Sequence, residues 1–339
     1  MKAFFNSKPI LSFIILTFLI TFFFWFLPVV VSLPKDIGLA TFLIGGCGPL
    51  LAGYIITVTN SGAKFKIGSK PIFILVFVGA SIVLFLRLFL INKGLDDQNG
   101  KFPALNEVNI VGLIIFAIAF FILGLNASNA NNTNLKENYL NTFLLKKIKL
   151  KWYLIGLLLL PILYVTSYYF GILFSQETTD FVIKPEAIWL IGFFTTFFFG
   201  GGNEEFGWRG FLQKELQKKY NPLVASLIIS FLWSFWHLPL HYNGIYSTGG
   251  FMDLLPRFIW MIPYTLIFTW LYNKSSYSIL TVVILHAMLN NTGKALGYSE
   301  IVSTVLVILL CVYCIIDDKM WKKKSYHLIY QEKTIKASS

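Results

Sequence analysis

Apolar runs long enough to cross a lipid bilayer recur along nearly the whole chain, and no other feature limits its fold so tightly. The first, "PILSFIILTFLITFFFWFLPVVV", begins at Pro9. A transmembrane helix needs about 20 mostly apolar residues. Lipid leaves unpaired backbone groups unsatisfied, so such runs must become helices or closed barrels. Comparable runs lie near 9–32, 38–58, 71–92, 107–125, 151–175, 186–208, 222–242, 257–272, 276–296 and 300–316. They are too long, and too free of strict alternation, to be barrel strands. A charged fraction of 13% against 56% hydrophobic residues excludes an ordinary soluble domain. The expected fold is all-α, a polytopic transmembrane bundle of about 8–10 spans, with some of the ten runs re-entrant or short.

The first run exceeds the apolar core of a signal peptide and lacks a small-x-small cleavage site, so it is expected to be a retained anchor. Cys47 stands alone within a span, and Cys311 and Cys314 sit in the last apolar run. A redox or zinc role for that Cys-x-x-Cys is not expected in such surroundings.

The formal net charge of +12 suggests nucleic acid until its placement is considered. Numbering the inter-span segments from the N-terminus, 21 of the 28 Lys and Arg fall on the even side, among them Lys2, Lys8, Lys66, Lys70, Lys214, Lys218, Lys219 and Lys274. The other side holds Lys35, Arg87, Lys93, Lys101, Lys184, Arg257 and Lys294. Basic loops stay in the cytoplasm. Both termini are therefore expected there, the chain is expected in the cell membrane as a multi-pass protein, and no nucleic-acid partner is needed.

The longest polar interruption, about 126–151, separates a four-span N-terminal extension (1–150) from a six-span unit (151–320), followed by a basic tail (321–339). No internal repeat of the kind that marks many transporters is visible. Ionisable and polar residues at membrane depth are nearly absent from the first part. They gather in the second: Glu204, Glu205, Arg209, His237, His241, His286 and Asn290. Acidic residues at such depth face a partner or a water-filled cavity.

Residues 186–219 read as one long helix, broken by "YNP" at 220–222 before the chain returns. Glu204 and His237 stand at nearly equal distances from that turn, about 25 Å along antiparallel helices at about 1.5 Å per residue. Glu205 and Arg209 are an i,i+4 pair suited to an ion pair, and His286 and Asn290 are another i,i+4 pair. Glycines 200, 201, 202, 207 and 210 surround the acidic pair and permit a kink or a close approach. A carboxylate facing an imidazole can activate water. A second histidine and an amide can stabilise an oxyanion. The same groups also suit a metal such as zinc, with His237, His286 and Glu204 as ligands. His241, beyond Pro239 and at the membrane edge, is left out of the site. Adjacent glutamates point about 100° apart on a helix, so only one can aim squarely at His237.

Taken in order, Glu-Glu-x-x-x-Arg (Glu204, Glu205, Arg209), a histidine after an aromatic-rich run (His237) and His-x-x-x-Asn (His286, Asn290) resemble the CAAX protease and bacteriocin-processing (CPBP) family of glutamate-dependent intramembrane endopeptidases. The resemblance spans about 185–295. It implies that Glu204 and His237 activate water, that His286 and Asn290 form the oxyanion site, and that Glu205 and Arg209 support them. It also implies membrane-associated peptides, including prenylated CAAX-like tails, as substrates, cut near the cytoplasmic face by a site opening towards the cytoplasm. The chain departs from the family's pattern at Trp233, where phenylalanine is usual. Two rival readings are a non-enzymatic bacteriocin-immunity protein and a proton-coupled transporter relaying through Glu204 and His237.

Overall fold

The computed structural model describes residues 2–62, 65–95, 103–129, 148–179 and 186–323. Among these the chain is helical throughout, in the order α1 (Lys2–Ser7), α2 (Pro9–Val30), α3 (Lys35–Gly46), α4 (Gly48–Ser61), α5 (Lys70–Asn92), α6 (Ile110–Asn129), α7 (Leu150–Leu173), α8 (Glu186–Phe198), α9 (Glu205–Gly207), α10 (Lys214–Lys219), α11 (Pro222–Trp236), α12 (Leu254–Lys274), α13 (Ile279–Ala295) and α14 (Glu300–Asp317). Most of the polar stretch between the two parts of the chain, and the basic tail from residue 324, lie outside the described residues.

The all-α bundle is borne out. Six helices are long and apolar enough to span a bilayer, and α3 with α4, bent by 45°, makes a seventh when counted as one span. The remaining expected spans are shorter: α11 and α13 are apolar helices of fewer than 18 residues, and α8 has 13. Large apolar side chains point outward along the outer helices, for example Ile74, Leu75 and Phe85 on α5 and Ile308, Leu309 and Ile316 on α14. In water such a surface would aggregate; in lipid it is the expected exterior.

Local chemistry sets the helix ends. Pro222 opens α11, and Asn221 Oδ1 accepts the Val224 N–H at 2.9 Å, an N-cap reinforced by a proline at N1. Gly62 ends α4 in the left-handed conformation.

The expected single helix over 186–219 is broken. Helix α8 stops at Phe198, and Gly201 takes φ 141°, a backbone region closed to side-chain-bearing residues. A 3-10 turn (Gly202–Glu204), the single turn α9 and a π-helical segment (Trp208–Gln213) follow before α10. Such π segments often mark functional sites. The run 222–242 is also interrupted: α11 ends at Trp236, and Leu238–His241 form a 3-10 turn around Pro239.

The two ends of the bundle can be told apart by their contacts. At one end Lys274 Nζ meets Asp317 Oδ2 at 2.8 Å, and the start of α11 bonds to Met320 and Trp321. There a hydroxyl–amide chain ties the π segment to its neighbours, running Ser226–Thr269–Gln213–Asn273–Asp318 with links of 2.8–3.4 Å. At the opposite end Lys35 approaches Glu107, and Asn243 Nδ2 donates to Trp25 O at 3.3 Å.

The N-terminal helices pack into the same core rather than standing apart. Trp236 Nε1 donates to Thr21 Oγ1 at 2.7 Å, and Thr21 in turn donates to Gly45 O at 2.7 Å. Gly207 lies so close to Pro49 that an added Cβ would collide with that residue's backbone. We expect Gly207→Ala to overpack this crossing and destabilise the fold by about 1–3 kcal/mol. Thermal unfolding of the purified protein in detergent would read the change.

Candidate active site

The glycine break after α8 turns the next residues inward, and the two adjacent glutamates part company. Glu205 and Arg209 are completely buried and form an ion pair at 3.1 Å. The guanidinium lies between two ring faces, 4.6 Å from the Trp233 centroid and 4.8 Å from that of Phe268. A buried guanidinium needs a counter-charge, so Glu205 is held as the anion. His286 Nδ1 stands 2.6 Å from Glu205 Oε1. With Glu205 ionised, the Nδ1–H donates and Nε2 is left for the other side of the ring. Gly201 packs against that Nε2, so closely that any side chain at 201 would collide with it.

Glu204 faces the other way. Its Oε2 accepts the Trp233 indole N–H at 2.9 Å, while among the described residues no donor bonds to Oε1. One turn after Trp233, His237 Nδ1 lies 2.7 Å from the Trp233 backbone carbonyl. A carbonyl can only accept, so Nδ1 carries the hydrogen and Nε2 presents its lone pair. The imidazole sits among Trp236, Tyr246 and Trp25, with ring centroids at 4.6, 5.5 and 6.2 Å. Asn290 Nδ2 donates one hydrogen to Gly200 O at 2.7 Å, leaving the second N–H of that amide.

Glu204, His237, His286 and Asn290 line one chamber of about 920 Å³, within the size of small-ligand pockets. Glu205 and Arg209 lie behind its wall. The four predicted site residues thus share a cavity, and the two predicted supporting residues back it. No hydrogen bond joins Glu204 to His237; Trp233 lies between them, bonded to the first and 6.2 Å by ring centroid from the second. His241 is absent from the lining. Its Nδ1 is tied to Ser247 Oγ at 2.6 Å, and Ser247 bonds on to Asp253, an arrangement that clamps the loop before α12.

A metal held by His237, His286 and Glu204 meets a geometric obstacle. Both imidazoles have the second-shell partners that metal-bound histidines use. Yet among the described residues no three His, Cys, Asp or Glu side chains stand close enough to share one ion. The donors as placed therefore do not fit a metal.

Sequence reasoning missed much of the chamber wall. The ends of the N-terminal helices contribute to it, including Trp25, Lys35, Phe42 and Arg87, and so do Tyr246 and Arg257 before and within α12. It also missed the bond from Trp233 to Glu204, for which the one available signal was the indole N–H at 233. The lining draws on the last turns of α2, α5 and α8, the whole length of α3, Trp233 of α11, the first turns of α12 and the C-terminal half of α13.

The adjacent glutamates should differ sharply in their effect on stability. Glu205→Ala leaves a buried guanidinium unpaired, which costs about 3–5 kcal/mol. Glu204→Gln keeps an oxygen for the Trp233 N–H, so its cost should stay near that of one ordinary hydrogen bond, about 1 kcal/mol. Melting temperatures of the two variants in detergent would check this order.

Residues 186–292 match the family described as Type II CAAX prenyl endopeptidase Rce1-like. Over 212 residues, 59% of this chain and 78% of the relative, the sequence is 28% identical to CAAX prenyl protease 2 of Methanococcus maripaludis. The matched family segment contains all six of the predicted site and supporting residues.

Proposed function

We propose that this chain is an intramembrane endopeptidase in which Glu204 is the general base, a reading supported by the match of residues 186–292 to the Rce1-like CAAX prenyl endopeptidases. The observation that carries this reading is the separation of the two glutamates: one carboxylate spent on a buried ion pair, the other with a free oxygen on a chamber.

In this reading a water molecule between Glu204 Oε1 and His237 Nε2 attacks the peptide carbonyl carbon. Glu204 takes one of its protons, while His237 accepts a hydrogen bond from the other and fixes the direction of attack. The carbonyl oxygen gains negative charge and is met by the spare N–H of Asn290. His286, held at Nδ1 by Glu205, lines the same chamber beside Asn290. Collapse of the tetrahedral intermediate breaks the C–N bond, and the proton held by Glu204 passes to the leaving nitrogen. Glu205 and Arg209 act behind the wall by fixing His286. Trp233 fixes Oε2 of Glu204, so that Oε1 alone is presented.

The substrates proposed are membrane-associated peptides. A prenylated CAAX-type tail is the first to try, from the chemistry named in the relative. A transporter would need a path continuing to the far end, and the chamber lining includes no residue of α1, α10 or α14.

Purified protein in detergent should cleave a quenched fluorescent prenylated CAAX peptide. Loss of the base should lower turnover of Glu204→Gln by about 10²–10⁴-fold. Activity that persists in Glu204→Gln would remove it as the base. We expect Trp233→Phe, which keeps the ring but not the N–H, to lower kcat roughly 10-fold, the worth of about one hydrogen bond, with KM little changed. A loss expressed only in KM would instead make Trp233 a substrate contact.

A further inference from the structure

His241 takes no part in the proposed chemistry, yet it is buried, and its imidazole is the first link of a relay through the loop between α11 and α12. Regular α-helix ends at Trp236 and resumes at Leu254, with the 3-10 turns Leu238–His241 and Gly250–Asp253 between them. This loop supplies Leu240, Asn243, Ile245 and Tyr246 to the chamber wall. Connections between helices are the more mobile parts of a fold unless their side chains tie them down. Here the Ser247 hydroxyl donates its single hydrogen to Asp253 Oδ2. Its oxygen must then accept from His241, so the hydrogen of that ring sits on Nδ1, 2.6 Å away. His241 Nδ1 and Asp253 Oδ2 are themselves 3.4 Å apart. The relay thus staples the turn after α11 to the turn before α12, with Ser247 in the middle of the loop.

We propose that His241, Ser247 and Asp253 are positioning residues for the reaction: their relay seats Tyr246 against His237 and so fixes the tilt of the imidazole that acts on water. The proposal rests on the peptidase reading for its kinetic consequence, but not for the state of the loop. The bond from His237 Nδ1 to the Trp233 carbonyl anchors one point of the ring and leaves the tilt about that bond to packing. Trp236 and Trp25 press on the imidazole from helices, whereas Tyr246, 5.5 Å away by ring centroid, presses from the loop. Tyr246 is the neighbour of Ser247, and its ring also meets the His241 imidazole edge-on at 5.6 Å. The Arg257 guanidinium covers that ring, 4.5 Å from its centroid, and the Tyr246 backbone N–H donates to Leu240 O at 3.0 Å. These contacts come from the segments that the relay ties together. Attack by water needs its partners aligned, and a positioning group displaced by about 1 Å can cost on the order of 10²-fold in rate. A loosened loop lets the His237 ring tilt, and its Nε2 lone pair then leaves the water that Glu204 shares.

Asparagine places an amide N–H where histidine carries Nδ1–H, and phenylalanine fills the space of the ring without a donor. His241→Asn should therefore keep kcat on the CAAX peptide within about 2-fold of wild type, while His241→Phe should lower it about 10-fold with KM little changed. Ser247→Ala should match His241→Phe, and the double variant should be no worse than either, because the two act through one relay. Equal losses in His241→Asn and His241→Phe would overturn the proposal, as would a loss carried by KM. The loop itself is read without cleavage. Amide hydrogen exchange in detergent, followed by mass spectrometry, should be about 10-fold faster across 243–248 in His241→Phe and Ser247→Ala, and unchanged across α11. Unaltered exchange in both variants would overturn the relay whether or not the protein is a peptidase. Faster exchange in the variants, with no cleavage by wild type, would uphold the relay and count against the peptidase reading alone.

Discussion

A guanidinium with no exposure to solvent, inside a bundle made for lipid, is the constraint around which the site is arranged. Arg209 cannot shed its charge, so the chain must supply an anion at contact distance, and Glu205 at i+4 does so. The remaining faces of the guanidinium are covered by Trp233 and Phe268 rather than by further acceptors. That demand commits Glu205 to a structural task, and it fixes Trp233 in place from one side. Because the carboxylate is anionic, it can also hold His286 by its Nδ1–H. One ion pair thus positions an aromatic ring and an imidazole on separate helices.

The second glutamate gains its freedom from the same arrangement. Trp233, pinned over Arg209, offers its indole N–H to Glu204 and its backbone carbonyl to His237. Each of these partners is left with one unshared acceptor, and both line the chamber. Two proton acceptors beside an amide donor form a set able to activate water and receive negative charge. Trp233 is the hub of that set, because its indole N–H and its backbone carbonyl serve the two acceptors separately.

The sequence was most readable where membrane physics leaves few choices. Apolar runs had to become helices, and the deep polar residues Glu204, His237, His286 and Asn290 do meet in one cavity. The i,i+4 spacing of Glu205 and Arg209 led directly to their ion pair. Less was visible where tertiary contact decides. The continuous apolar pattern over 186–219 hid the break at Gly201, because hydropathy does not register a positive φ or a π-helical turn. The N-terminal helices looked featureless because their contribution, Trp25 and Phe42 among others, is shape rather than chemistry. Uniformly apolar helices also give no sign of which face meets the protein and which meets lipid, so the walls of the chamber could not be read from spacing.

The central claim is that the Glu204 carboxylate faces the chamber, and it can be tested without knowing the substrate. Glu204→Cys should react readily with a small methanethiosulfonate reagent in detergent, since the native cysteines are buried and wild-type protein supplies the background. A bulky bound lipopeptide should slow that reaction. Modification at a rate well above wild type, reduced by the peptide, is the expected result. A thiol at 204 that stays inert, under conditions that label Ser32→Cys at the rim, would contradict the orientation on which the proposed chemistry depends.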